Sequence, residues 1–162
     1  MSKDKKKQMG VLGLVVGLVV VLFGGVLFMG AVSGWFDNSV VLDSEYFSDN
    51  ADFMEISADE YEELVQAKKS FVVFIDQDGC TTADRLKGYM SQYMKEAGFS
   101  AFKIMFSDVK KSSLHNEVKY YPSVALVDKG TVIAYLRADS DEDADFYNNY
   151  DAFKAWLEKY LR

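Results

Sequence analysis

The sequence is poor in three chemically informative residue types: its 162 residues contain one cysteine, one histidine and one proline. A lone Cys80 excludes an intramolecular disulfide framework and any two-thiol redox cycle completed within the chain. A lone His115, with no second histidine or cysteine near it in sequence, excludes an evident zinc ligand set or Cys-His pair. Its expected place is the surface of a short helix. Basic residues are also in deficit, 18 Lys and Arg against 25 Asp and Glu, for a formal net charge of −7. Four of the lysines (Lys3, Lys5, Lys6, Lys7) fall in the first seven residues, so the rest of the chain is more acidic still. Nucleic acid and anionic membrane surfaces need clustered Lys and Arg, and neither is an expected partner.

Charge is missing altogether from Val11 to Val32, a run of 22 residues with no polar face. As a helix it would span roughly 33 Å, about the thickness of a bilayer's hydrocarbon core. The expectation is a transmembrane helix over 11–33. It is preceded by a basic cytoplasmic tail, 1–10, and followed by an extracytoplasmic chain, because cytoplasmic flanks carry the lysines. Ala31-Val32-Ser33 is a possible cleavage site, but the apolar run exceeds the ~7–15 residues of a signal peptide's h-region. Gly13 and Gly17 are spaced for self-association of the anchor through close helix packing. Residues 34–51 read as a juxtamembrane linker, with Trp35 and Phe36 suited to the interfacial belt.

The remaining segment, 52–162, alternates in period. A short strand at 52–57 meets the capping box Ser57-Ala-Asp-Glu60, and the helix it opens reaches about Lys69. "FVVFI", 71–75, is an unbroken β-branched and aromatic run, as a central strand covered on both faces requires. A helix follows Cys80, its Leu86, Met90, Tyr93, Met94 and Ala97 recurring at three- and four-residue spacing, with Gly98 as its stop. A strand at 101–109 and a helical turn at 112–118 come next. "YYPSVALVDKGTVIAYL" then contains two strands joined at Asp128-Lys129-Gly130, a hairpin signature. An acidic loop, 138–147, precedes a last helix with Phe153, Trp156, Leu157, Tyr160 and Leu161 on one face. The order β-α-β-α-β-α-β-β-α implies a mixed sheet with helices on both faces. "DSDEDAD", 139–145, spaces its aspartates like a calcium loop. The glycine and glutamate that such a loop needs are replaced by Ala144 and Tyr150, so a solvated acidic loop is expected and no metal site.

That order of elements resembles thioredoxin. So do the strand, loop and cysteine-initiated helix at 71–97, the segment "VKYYPSVALVDKGTVIAYL" and the terminal "FKAWLEKYL". The resemblance covers about 52–162 and implies a thioredoxin-like α/β fold. It makes Cys80 the candidate nucleophile and implies a cis peptide before Pro122, where local propensity alone favours trans. It places Gly79, Thr81, Tyr121, Pro122 and Ser123 around a binding groove whose backbone pairs with bound polypeptide. The departures are sharp. Where the family reads W-C-G-P-C, this chain has Gly79-Cys80-Thr81-Thr82-Ala83. The family's buried acid, six residues before the cysteine, is replaced by Phe74.

The residues around Cys80 pull its chemistry in opposite directions. A helix N-terminus favours a thiolate, whereas Asp76, Asp78 and Asp84 oppose one against Arg85 and Lys87. A lone cysteine can equally be a small buried hydrophobe. Two functions follow. One is one-cysteine thiol–disulfide exchange with an extracytoplasmic protein or thiol client, resolved by an external thiol. The other is a redox-inactive binding or adaptor module for an envelope partner. Neither requires a cofactor.

Overall fold

The computed structural model describes residues 39–162. The expected anchor at 11–33, its Gly13 and Gly17, and the expected interfacial residues Trp35 and Phe36 lie outside the described residues. No helix among those described is long and apolar enough to cross a membrane.

Ten main elements follow one another: β1 (Phe53–Glu55), α1 (Ala58–Gln66), β2 (Phe71–Asp76), α2 (Thr81–Ala97), β3 (Ala101–Met105), α3 (Phe106–Val109), α4 (Leu114–Glu117), β4 (Ser123–Asp128), β5 (Thr131–Tyr135) and α5 (Tyr150–Tyr160). The strands form one sheet in the order β1-β3-β2-β4-β5. The first three are parallel, β2 with β3 and β3 with β1, whereas β4 runs antiparallel to both β2 and β5. This is the mixed sheet of a thioredoxin-like α/β fold.

β2 is central, and all six of its residues are buried. Its side chains alternate between two cores. Val72 and Phe74 face α2 and α5, packing with Leu86, Met90, Phe153 and Leu157. Phe71, Val73 and Ile75 face the other way, among Tyr61, Phe102, Ile104 and Leu114. Helix boundaries follow local chemistry. Ser57 Oγ accepts from the Glu60 N–H at 3.3 Å while the Glu60 carboxylate accepts from the Ser57 N–H at 2.7 Å, completing the expected capping box. That exchange holds the Glu60 carboxyl below its ordinary value. α2 ends at Gly98, whose φ of +72° turns the chain out of the helix. Asn149 caps α5 by accepting from Asp151 N–H.

Three sequence expectations are corrected. The strand expected over 101–109 ends at Met105, and Phe106–Val109 turns into a helix that buries Val109. The helix from Ser57 stops at Gln66 rather than Lys69, because Lys68 adopts φ +54° and reverses the chain into β2. The segment 39–51, read as linker, belongs to the packed unit: Val40 bridges in parallel to Leu161, and Phe47 to Phe99. Val40, Leu42, Tyr46 and Ala51 are buried. Asp43 and Glu45 clasp Lys69 at 3.3 and 3.0 Å. Irregular backbone concealed this packing, since short bridges and a single 3-10 turn at Ser44–Tyr46 leave no period to read.

The β4–β5 hairpin shows how tightly the sheet meets α1. Gly130 turns with φ +77°, and a Cβ there would sit 2.4 Å from the Val65 carbonyl oxygen. Gly88, inside α2, has open space around the same position. Gly130→Ala is therefore expected to destabilise the fold by about 2–4 kcal/mol, from left-handed strain plus a backbone clash. Gly88→Ala is expected to stabilise it by about 0.5–1 kcal/mol. Urea titration of the two variants beside the parent chain checks both signs.

Candidate functional site

The C-terminal end of β2 delivers the chain to Cys80. Asp76, one residue beyond the expected strand 71–75, is the last residue of the observed one and is buried, with its side chain 8% exposed. Its Oδ1 accepts from the Gln77 N–H at 2.9 Å, and its Oδ2 pairs with Lys87 Nζ of α2 at 3.0 Å. A charge counted from sequence as opposing the thiolate is thus already met by a lysine. Gly79 then takes φ +69°, and Cys80 follows as the N-cap residue of α2 in extended conformation. Asp84 N–H donates to the Cys80 carbonyl, closing the first turn. The Cys80 side chain makes no capping hydrogen bond, and the residue is half-buried.

The two positions after Cys80 diverge. Thr81 is exposed and Thr82 half-buried, while Ala83 is fully buried against the core. The position three residues after Cys80 is therefore a packing position. Phe74 is likewise wholly buried. Both positions thus hold apolar side chains inside the core.

The Tyr121–Pro122 peptide is cis. Cys80, Thr82, Tyr121 and Pro122 border one cavity of about 370 Å³. Of the six residues singled out from sequence, Cys80, Tyr121 and Pro122 are brought together there. Gly79 and Thr81 flank Cys80 along the chain without lining the cavity. Ser123 is fully buried, its hydroxyl donating to the Leu136 carbonyl at 2.7 Å, so its side chain bonds the sheet and not the groove.

Sequence reasoning missed the opposite wall, which is the acidic loop. Asp139, Ser140, Asp141, Ala144, Tyr147 and Asn148 line the same cavity. Two anchors hold that wall. Asp143, expected among solvated acids, is buried and accepts from the Arg137 backbone N–H at 2.7 Å, while its carboxylate and that of Glu142 engage the Arg137 guanidinium. Tyr147, also buried, donates its hydroxyl to the Pro122 carbonyl at 2.9 Å. Burial pushes the Tyr147 phenol up, with Asp143 and Asp139 adding to the shift, so it stays a neutral donor. Arg85 of α2 reaches the same turn, donating to the Asn148 side chain and towards the Tyr147 carbonyl. The only advance signal was Arg137 at the head of an acidic run. Among the described residues no three His, Cys, Asp or Glu side chains gather as metal ligands.

His115 also departs from its expected surface place. It is half-buried, with Nδ1 2.9 Å from the Tyr121 hydroxyl oxygen. That hydroxyl also lies within hydrogen-bonding distance of the Val118 carbonyl, at 3.1 Å. The histidine thereby fixes the ring that precedes Pro122. Partial burial pushes the Tyr121 phenol up.

No protein-family model matches the chain, and no curated protein matches it. Solved structures similar to it include a thioredoxin mutant from Halobacterium salinarum NRC-1, at 15% identity and TM-score 0.47, covering 71% of this chain and 95% of that one. Thioredoxin f from spinach chloroplast is similar at 12% identity and TM-score 0.49, covering 66% and 84%. Mitochondrial thioredoxin 3 from Saccharomyces cerevisiae is similar at 14% identity and TM-score 0.47, covering 65% and 93%.

Proposed function

We propose that this chain is a membrane-anchored, extracytoplasmic thioredoxin-like protein that performs one-cysteine thiol–disulfide exchange through Cys80. One observation carries the chemistry: a half-exposed thiol at the start of a 17-residue helix opens onto the same cavity as the cis-proline segment. A helix N-terminus stabilises a thiolate through its free N–H groups and dipole. The Cys80 thiolate attacks one sulfur of a client disulfide. A new S–S bond forms to Cys80, the old one breaks, and the departing thiolate takes a proton from solvent. Ala83 offers no second thiol, so an external thiol attacks the mixed disulfide and restores Cys80.

The bilayer is the proposed partner of residues 11–33, supported by the uncharged Val11–Val32 run and the lysines before it. Gly13 and Gly17 give that anchor a face for self-association. A second reading, a redox-inactive adaptor built on the same groove, is favoured by one observation: Phe74 and Ala83 are both fully buried packing residues.

A small neutral disulfide, bis(2-hydroxyethyl) disulfide, separates the two. Exchange predicts a persistent one-to-one adduct on Cys80, visible by intact mass and absent in Cys80→Ser. Ala83→Cys should convert that adduct into an internal bridge, since C-x-x-C spacing at a helix start brings two sulfurs into bonding range. Reaction far slower than that of free cysteine supports the adaptor. The topology has its own test. Cysteine introduced at exposed Asp49 in a Cys80→Ser background should react with an impermeant maleimide on intact cells. Labelling only after lysis would reverse the orientation.

A further inference from the structure

The cavity beside Cys80 is chemically one-sided. Its lining includes two carboxylates, Asp139 and Asp141, and no lysine or arginine. Both aspartates are exposed, and among the described residues neither carries an ion pair. The cation nearest to them in sequence, Arg137, is spent on Glu142 and Asp143. The guanidinium of Arg85 reaches the cavity wall, where it is held by the Asn148 side chain and the Tyr147 carbonyl. The wall is also fixed in place: Asp143 grips the Arg137 N–H, closing the segment that carries the two acids, and Tyr147 grips the Pro122 carbonyl.

From this arrangement we infer that Asp139 and Asp141 set the charge specificity of the site, selecting client disulfides that carry positive charge next to the reacting sulfur and rejecting anionic ones. The inference rests on the exchange reaction proposed above. Two carboxylates on the wall of a concave site raise the local concentration of cations and lower that of anions. They act before and during attack, because the incoming disulfide must lie within the cavity while the Cys80–sulfur bond forms. An electroneutral client gains nothing from them. A disulfide flanked by lysine or arginine in a polypeptide and a small aminoalkyl disulfide present the same chemistry.

The experiment uses the full chain in non-ionic detergent and three small disulfides: cystamine (cationic), bis(2-hydroxyethyl) disulfide (neutral) and oxidised glutathione (anionic). Rates of mixed-disulfide formation at Cys80 are read by intact mass, each divided by the rate of free cysteine with the same reagent. At low ionic strength the normalised cystamine rate should exceed that of oxidised glutathione by roughly tenfold, shrinking as salt is added. In the double variant Asp139→Asn, Asp141→Asn the ratio should fall towards one, and in Arg85→Gln it should rise. Asp49→Asn, an exposed acid that does not line the cavity, should leave the ratio as it is. Two peptide disulfides, one with lysines and one with aspartates beside the cysteine, distinguish the sources: preference for the lysine peptide well beyond that for cystamine identifies a polypeptide client. If the neutral disulfide reacts but charge makes no difference, or if the preference survives in the double variant, the specificity inference is overturned and thiol exchange stands. If none of the three disulfides reacts, both fall together.

Discussion

The site depends on one constraint: β2 has no free side. Each of its six residues is buried, it is hydrogen-bonded to β3 on one edge and β4 on the other, and helices cover both faces. A strand so enclosed has one direction in which to release the chain, past its C-terminal end. Asp76 marks that exit. As the strand's only charged residue it can be buried because Lys87 and the Gln77 N–H satisfy its carboxylate. The same ion pair ties the strand end to α2, and so fixes where the helix that begins after Cys80 can start.

A second strand end meets the first. β4 is antiparallel to β2, with Ser123 opposite Ile75, so the segment entering β4 arrives where β2 leaves. Pro122 and Cys80 are neighbours by that register. The third side of the cavity comes from a loop with no regular structure apart from the 3-10 turn Ala144–Tyr147. It is organised by polar contacts made to specific partners: Asp143 to Arg137 and Tyr147 to Pro122. Buried polar groups of this kind hold position only when fully paired, and these are.

Charge and packing divide the labour around Cys80. Packing claims Phe74 and Ala83, both fully buried. Charge remains on the facing wall in Asp139 and Asp141. In the proposed exchange reaction a one-cysteine site has no internal route to expel a client, so external thiols set the lifetime of the mixed disulfide. In that reaction the proposed charge selection by the wall would carry more of the specificity than in a two-cysteine enzyme.

The sequence by itself determined the elements whose side chains repeat. The apolar run 71–75, the heptad-like spacing after Cys80, the Ser57–Glu60 capping box and the Asp128–Gly130 turn each have a local physical cause, and each is found in the structure. It also determined the chemistry that is impossible, since a single cysteine cannot form an internal disulfide. Only the tertiary structure decided what depends on partners distant in sequence. Asp76 was legible as an acid near Cys80 but not as one neutralised by Lys87. His115 had no visible partner until α4 brought it to Tyr121. Residues 39–51 carry too little periodicity to reveal that Val40 packs beside the last helix. The acidic loop looked solvated because acids usually are. Its role as a cavity wall depends in part on a hydrogen bond from Tyr147 to a carbonyl 25 residues earlier, which no local pattern encodes.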